Sequence, residues 1–471
     1  MNSYSKAVIQ DRKKTYAYII AITLLYVLVF CKIFPTILPY TEGGLYARVK
    51  FDAIRTWVGI IVIVFMMRFA CQYEMNFRQH QKVSSIVVLT LYLFYFIPGQ
   101  IMNIVYETDL LFFWLYILFW SFLELFLHIS KKFRFVNKIG LKLRKEQYSK
   151  SSVKIYEGFV ILILLATIVV SLANSNASLS IMNMFDINSV NETRMESREA
   201  GIHWILWYPI LAVSMLNPVW FQRAWKNKNM VLLGLILFST VAMYSVGNNR
   251  VFLLNLFIGM AICLLRDKNN STLKIVFCCL SICAIEFMLS EIISTNIIYA
   301  NPFNNVMKRL FATPNAIARH YVEFFSENQP DWLMQNWSRF FSFFGLSSSY
   351  SEPIPTVIGY TFYNTGMNSN NGLIGTAVAN YGMLGVVISP LLYIFSFRLL
   401  DFCSEKIKAT EELIVLGIII ATTIPNSFGF MELIVTPSYL LICYVLIFLM
   451  PCQTAMLFNG KKESQECVGK E

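Results

Sequence analysis

Apolar runs of roughly membrane-spanning length recur along this chain, and one long interval interrupts them. The runs are 16–38, 54–69, 83–105, 110–129, 155–173, 202–221, 230–246, 251–265, 275–298, 372–399, 413–430 and 433–449. A helix needs about 20 predominantly apolar residues to cross the hydrocarbon core. Inside that core every backbone N–H and C=O must be satisfied by the segment itself, which favours helices. The pattern therefore predicts an all-α polytopic integral membrane protein with about 12 transmembrane helices. Composition agrees, since 56% of the residues are hydrophobic and only 14% are charged. Soluble domains carry about 25% charged residues.

Charge between the runs predicts the orientation. Lys131–Lys154 holds nine Lys or Arg and one acid, Glu146. Such an excess marks a cytoplasmic loop. Arg12-Lys13-Lys14, Arg223 with Lys226 and Lys228, Arg266 with Lys268, Arg398 with Lys406 and Lys408, and Lys461-Lys462 fall on the same side in a twelve-span count. Both termini are then expected in the cytoplasm. The formal net charge of +11 resides in these loops, so nucleic acid is not an expected partner. Ten cysteines lie mostly in apolar runs, which predicts neither a disulfide framework nor a zinc site. No cleavable signal peptide is expected.

This divides the chain into 1–298 with spans one to nine, a large extracytoplasmic loop at 299–371, 372–455 with spans ten to twelve, and a cytoplasmic tail at 456–471. The loop carries Lys308, Arg309, Arg319 and Arg339 against Glu323, Glu327, Asp331 and Glu352. Thr313-Pro314 reads as a helix start, with Thr as cap and Pro in the first turn. The helix is expected to run to about Ser326. Asp331 is expected to cap a second helix, Trp332–Phe344, ended by Gly345. Both read as amphipathic helices lying on or near the membrane surface. Gly359–Gly372 reads as a loop rich in Asn, Gly and Tyr, leading into Gly375, Ala379, Gly382 and Gly385, small residues that permit close helix packing.

Candidate site residues follow from side-chain chemistry. Arg250, in the turn Gly247-Asn248-Asn249-Arg250, reads either as a snorkelling interfacial residue or as an anion ligand. Arg309, Arg319 and Arg339 read as a ring of cations around a polar cavity, or as the solvated face of a packed subdomain. Trp332 and Trp337 suit stacking against sugar faces. Asn364, Asn368 and Asn371 offer neutral donors and acceptors for sugar hydroxyls. His320 titrates near neutrality in its unperturbed state, so it is a candidate general base, with a structural role as the alternative. Glu323 and Asp331 are rival bases. Glu323 is equally placed to pair with Arg319, and Asp331 to cap a helix. Glu286 in span nine is expected to be paired or functional, because intramembrane acids are rare. Glu124 and His128 are i, i+4 and are expected to pair.

The chain resembles the Wzy-type oligosaccharide repeat-unit polymerases of O-antigen and capsule. The resemblance rests on the hydropathy profile with one large external loop late in the chain, and on two stretches. One is Arg309-Leu310-Phe311-Ala312-Thr313-Pro314, continuing through His320-Tyr321-Val322-Glu323-Phe324-Phe325 to Gln329-Pro330-Asp331-Trp332-Leu333. The other runs from Asn364-Thr365-Gly366 through Asn371-Gly372-Leu373-Ile374-Gly375 to Ala379-Asn380-Tyr381-Gly382. Local similarity covers 308–387. The arginine-to-glycine spacing of some members is absent at Arg309, Arg319 and Arg339.

The resemblance implies transfer of a glycan from undecaprenyl pyrophosphate to a lipid-linked repeat unit, on the outer face of a bacterial cytoplasmic membrane. It implies no nucleotide sugar and no cofactor or metal. Partners would be undecaprenyl-pyrophosphate-linked oligosaccharides and membrane lipids, with a chain-length regulator and a flippase as possible protein partners. Arginines would stabilise the pyrophosphate leaving group. Two rival functions share the architecture: a lipid-linked oligosaccharide flippase, and a ligase that attaches finished glycan. The absence of an internal repeat and the size of the external loop weigh against the flippase.

Overall fold

The computed structural model describes residues 3–37, 49–106, 108–130, 150–174, 204–246, 250–265, 269–293, 302–335, 338–364, 369–404 and 410–426. Among them the regular structure is helical, and Val49 and Tyr106 form an isolated bridge. The helices are α1 (Ser3–Leu28), carried by a π turn, Val29–Ile33, into Phe34–Ile37; α2 (Ala53–His80); α3 (Val83–Leu91); and, after a π turn at Tyr92–Phe96, α4 (Ile97–Val105). Then come α5 (Leu110–Ser130), α6 (Lys150–Asn174), α7 (Trp204–Lys226), α8 (Met230–Ser245), α9 (Arg250–Leu264) and α10 (Ser271–Ile293). The interval predicted as the external loop contributes α11 (Pro302–Phe311), α12 (Thr313–Glu327), α13 (Ser338–Phe343) and α14 (Ile354–Tyr363). The last helices are α15 (Ile374–Tyr381), a 3-10 turn at Gly382–Leu384, α16 (Gly385–Ser404) and α17 (Thr410–Asn426).

Among the described residues seven helices are long and apolar enough to cross a membrane: 9–36, 53–80, 83–105, 110–130, 156–173, 271–293 and 374–404. They coincide with seven of the predicted runs. Two further apolar helices, at 230–245 and 251–264, are shorter. The run predicted at 433–449 lies outside the described residues, as does most of the basic loop.

The outward faces support a bilayer as solvent. On α2 the exposed side chains include Ile54, Trp57, Ile61, Val64 and Phe65, spaced three to four apart along one stripe. The opposite stripe, with Ile63, Met66 and Ala70, is buried. A helix that is apolar on both faces belongs in lipid or in a core, not at a water interface.

The segment 83–105 is the centre of the bundle and is buried along its whole length. It carries no charged residue, so no face of it prefers water. α2, α16 and α17 pack around it. At the π turn, Tyr92 and Phe96 meet Trp120 of α5, with ring centroids 5.6 and 5.4 Å apart. Tyr92 Oη donates to Glu124 at 2.5 Å, and Tyr73 Oη reaches the same carboxylate at 2.9 Å. Glu124 thus turns inward to two phenols, while His128 of the same helix is exposed.

The interval predicted as external departs from expectation in three places. α12 does not lie on a surface. Its Pro314, Asn315, Ile317, His320, Tyr321, Val322 and Phe325 are all buried, covering most of its circumference. Its N-terminal turn docks on α4 at Gly99, and its far side packs on α15. A single helix over Trp332–Phe344 does not form. Trp332 and Leu333 take positive φ, 54° and 65°, which a right-handed helix cannot contain, and only α13 follows. Part of the expected Asn/Gly/Tyr loop is helical: α14 has Pro in its first turn and ends at Tyr363, with Asn364 left-handed as its C-cap.

The glycines of span ten bend one segment instead of admitting a neighbouring helix. Gly382 has φ 60° and ψ −153°, a conformation essentially confined to glycine, and there α15 ends. A Cβ on Gly385 would meet the carbonyl of Ala377 in α15.

Candidate functional site

Two helices from the interval 299–371 and one from the segment 374–404 build the candidate site. α12 begins at Thr313-Pro314, as its proline favours, but the cap is Ala312, and Thr313 Oγ1 is buried without a hydrogen-bond partner. α11 begins at Pro302, and here a distant acid does the capping. Glu286 of α10 accepts from the backbone N–H of Phe303 at 3.0 Å and of Asn304 at 2.7 Å. It also accepts from Asn304 Nδ2 at 2.8 Å. A carboxylate at a helix start satisfies free N–H groups and complements the helix dipole. Glu286 is therefore the paired acid of the two expected alternatives.

His320 sits on the buried side of α12 and is 3% exposed. Its ring stacks on Phe362 of α14, with centroids 4.2 Å apart and planes 29° apart, and meets the edge of Tyr363 at 5.4 Å. Neither ring nitrogen has a hydrogen-bond partner. Glu323 Oε2 lies 3.8 Å from Nδ1, beyond hydrogen-bond reach. Burial, and then the charge of Arg319, push the imidazole down to about 4. At neutral pH the ring is neutral and offers one donor and one acceptor.

The other predicted bases differ. Glu323 is exposed, one turn from His320. Asp331 is 2% exposed, and both its oxygens are engaged. Oδ2 accepts from Gln335 N at 2.8 Å, and Oδ1 accepts from Ser348 Oγ. Its own N–H donates to Ala379 of α15 at 2.7 Å. Asp331 closes a tight turn and pins the chain to α15, a structural role. Asn371 is likewise committed to the fold. Its Nδ2 donates to the Pro314 carbonyl at 2.6 Å and its Oδ1 accepts from Gly375 N at 2.9 Å. The amide joins the start of α12 to the start of α15.

The predicted phosphate ligands are spread over three elements. Arg309 is exposed in the last turn of α11, where a cation complements the helix end. Arg319 is half-buried beside His320. Arg250 is the first residue of α9 and Arg339 belongs to α13, but both side chains lie outside the described residues, as do Trp337 and Asn368. Trp332 is half-exposed and Asn364 is exposed, so both present their side chains at the surface. The structure therefore sets Arg319, His320 and Glu323 within one turn, with His320 against an aromatic wall of Phe362 and Tyr363. That wall is absent from the sequence-based candidates. Its signal was Pro353 and Pro355, which start the helix that carries it.

Among the described residues no cluster of three His, Cys, Asp or Glu could hold a metal ion. No family model, curated protein or solved structure matches the chain.

Proposed function

We propose that this protein is a membrane polymerase that joins undecaprenyl-pyrophosphate-linked oligosaccharide repeat units on the outer face of a bacterial cytoplasmic membrane. The reading takes twelve spans, with both termini in the cytoplasm and 299–371 outside. The observation that carries it is the turn Arg319–Glu323, in which a buried neutral imidazole lies between an arginine and a carboxylate. The sequence resemblance over 308–387 supports the same assignment.

In this reaction the acceptor hydroxyl attacks the anomeric carbon of the growing glycan. The bond from that carbon to the pyrophosphate oxygen breaks, and the lipid pyrophosphate leaves with the electron pair. His320 accepts a hydrogen bond from the acceptor hydroxyl and orients it. Its low basicity suits it to hold the proton only as the bond forms, with Glu323 stabilising the transient imidazolium. Arg319 and Arg309 offset the charge that develops on the leaving oxygen. Trp332 and Asn364 present a stacking face and an amide to the sugars.

The test is the glycan profile of a strain lacking the gene, complemented with variants. Loss of the polymerase leaves single repeat units displayed outside; a flippase deletion would trap them inside, and a ligase deletion would leave long chains unattached. Arg309→Ala and Arg319→Ala are expected to abolish long chains with protein retained in the membrane. Normal chain length in both would overturn the arginine assignment.

A further inference from the structure

A cavity of about 220 Å³ lies near the start of the central segment, whereas α12 packs beyond its π turn. It is lined by Glu74 and Arg78 of α2, by Gln81, by Thr272 in the first turn of α10, and by Thr410, the first residue of α17. Two helices therefore start at one cavity. Each helix start carries about half a positive charge.

Two side chains point to a ligand. Thr272 is 1% exposed, and its Oγ1 has no hydrogen-bond partner. Arg78 Nη2 is likewise buried without one. The rest of that guanidinium is committed: Nε donates to Glu74 at 3.0 Å, and Nη1 lies 3.4 Å from Asp11. Thr410 Oγ1 accepts from Gln81 Nε2 at 3.1 Å, which leaves its own proton to donate. Glu74 is held from the other side by the Asn270 N–H at 2.8 Å.

We propose that this cavity binds a phosphate group, with Arg78 Nη2 and the hydroxyls of Thr272 and Thr410 as donors. Donors converging from three helices suit a group with several acceptor oxygens. Charge selects the ionisation state. Glu74 and Asp11 already flank Arg78, and Glu411 and Glu412 stand in the first turn of α17. With that much negative charge nearby, the site favours a singly charged phosphate over a dianion. A phosphodiester headgroup and monobasic inorganic phosphate share that chemistry. The positive-inside pattern places this end at the cytoplasmic face. The proposal uses no residue of the polymerase reading and stands without it.

The test uses the full-length protein in detergent, titrated with inorganic phosphate, and in nanodiscs of phosphatidylglycerol or of a phosphate-free glycolipid, with retained lipid read by native mass spectrometry. Wild type is expected to bind in at least one arm. Saturation by inorganic phosphate would identify a soluble ligand, and selective retention of phosphatidylglycerol a headgroup. Thr272→Val is expected to weaken that binding about tenfold. It should leave thermal stability intact, because the hydroxyl has no intramolecular partner to lose. No binding by wild type in either arm, or equal binding by Thr272→Val, overturns the proposal.

Discussion

Gly99 of α4 lies directly against Asn315 of α12. A Cβ built on Gly99 would collide with Asn315 Oδ1 and with the Tyr116 hydroxyl. This contact is what admits α12 into the bundle. Gly99→Ala is expected to displace the start of α12 and to destabilise the protein by about 1–3 kcal/mol, the usual cost of overpacking. A thermal melt in detergent checks it. An unchanged melt would mean that α12 yields freely at this point.

Asn371 offers a direct contrast between a structural and a binding role. Asn371→Ala removes a donor to Pro314 and an acceptor from Gly375, both buried. The expected loss is about 1–3 kcal/mol, because each partner is left unpaired. The measurement is thermal stability alongside glycan chain length. A sugar-binding role would instead shorten chains at unchanged stability.

Gly382 occupies backbone space closed to other residues. Gly382→Ala is expected to cost about 1–3 kcal/mol through strain alone. Its environment is open, with Pro330 Cγ at 3.6 Å from a built Cβ, so crowding does not contribute. Protease sensitivity between α15 and α16 reports the result.

His320 predicts a pH dependence. Its folded value of about 4 lies below the ordinary histidine value of 6.5. The unfolded chain therefore binds more protons between those limits, so stability rises with pH across the window and is lost as pH falls from about 6.5 towards 4. The contribution is at most about 3 kcal/mol. His320→Gln is expected to flatten the pH dependence of melting between pH 7 and pH 5. An unchanged slope would place the titrating group elsewhere.

Membrane spans were legible because the bilayer imposes a local rule: length and apolarity are properties of contiguous residues. The seven helices long and apolar enough to cross a membrane, among the described residues, accordingly fall on predicted runs. The start of α12 was legible for the same reason, since Pro314 acts within one turn. Its burial was not. Ile317, Tyr321 and Phe325 form an apolar stripe that would serve equally against lipid or against protein, and only Gly99 and α15 decide which. The pairing of Glu124 with Tyr73 and Tyr92 was illegible because its partners lie 51 and 32 positions away.

By itself the sequence determined a helical membrane protein, the order of its spans, and the interval in which Arg319, His320 and Glu323 share one helical turn. Tertiary structure decided which polar groups are spent on the fold. Asp331 and Asn371 are spent on Ser348, Ala379, Pro314 and Gly375, whereas His320 keeps both nitrogens free of intramolecular hydrogen bonds. The physical reason is that a polar side chain has few hydrogen bonds to give. Whether they go to the fold or to a ligand depends on groups that only long-range packing brings within about 3 Å.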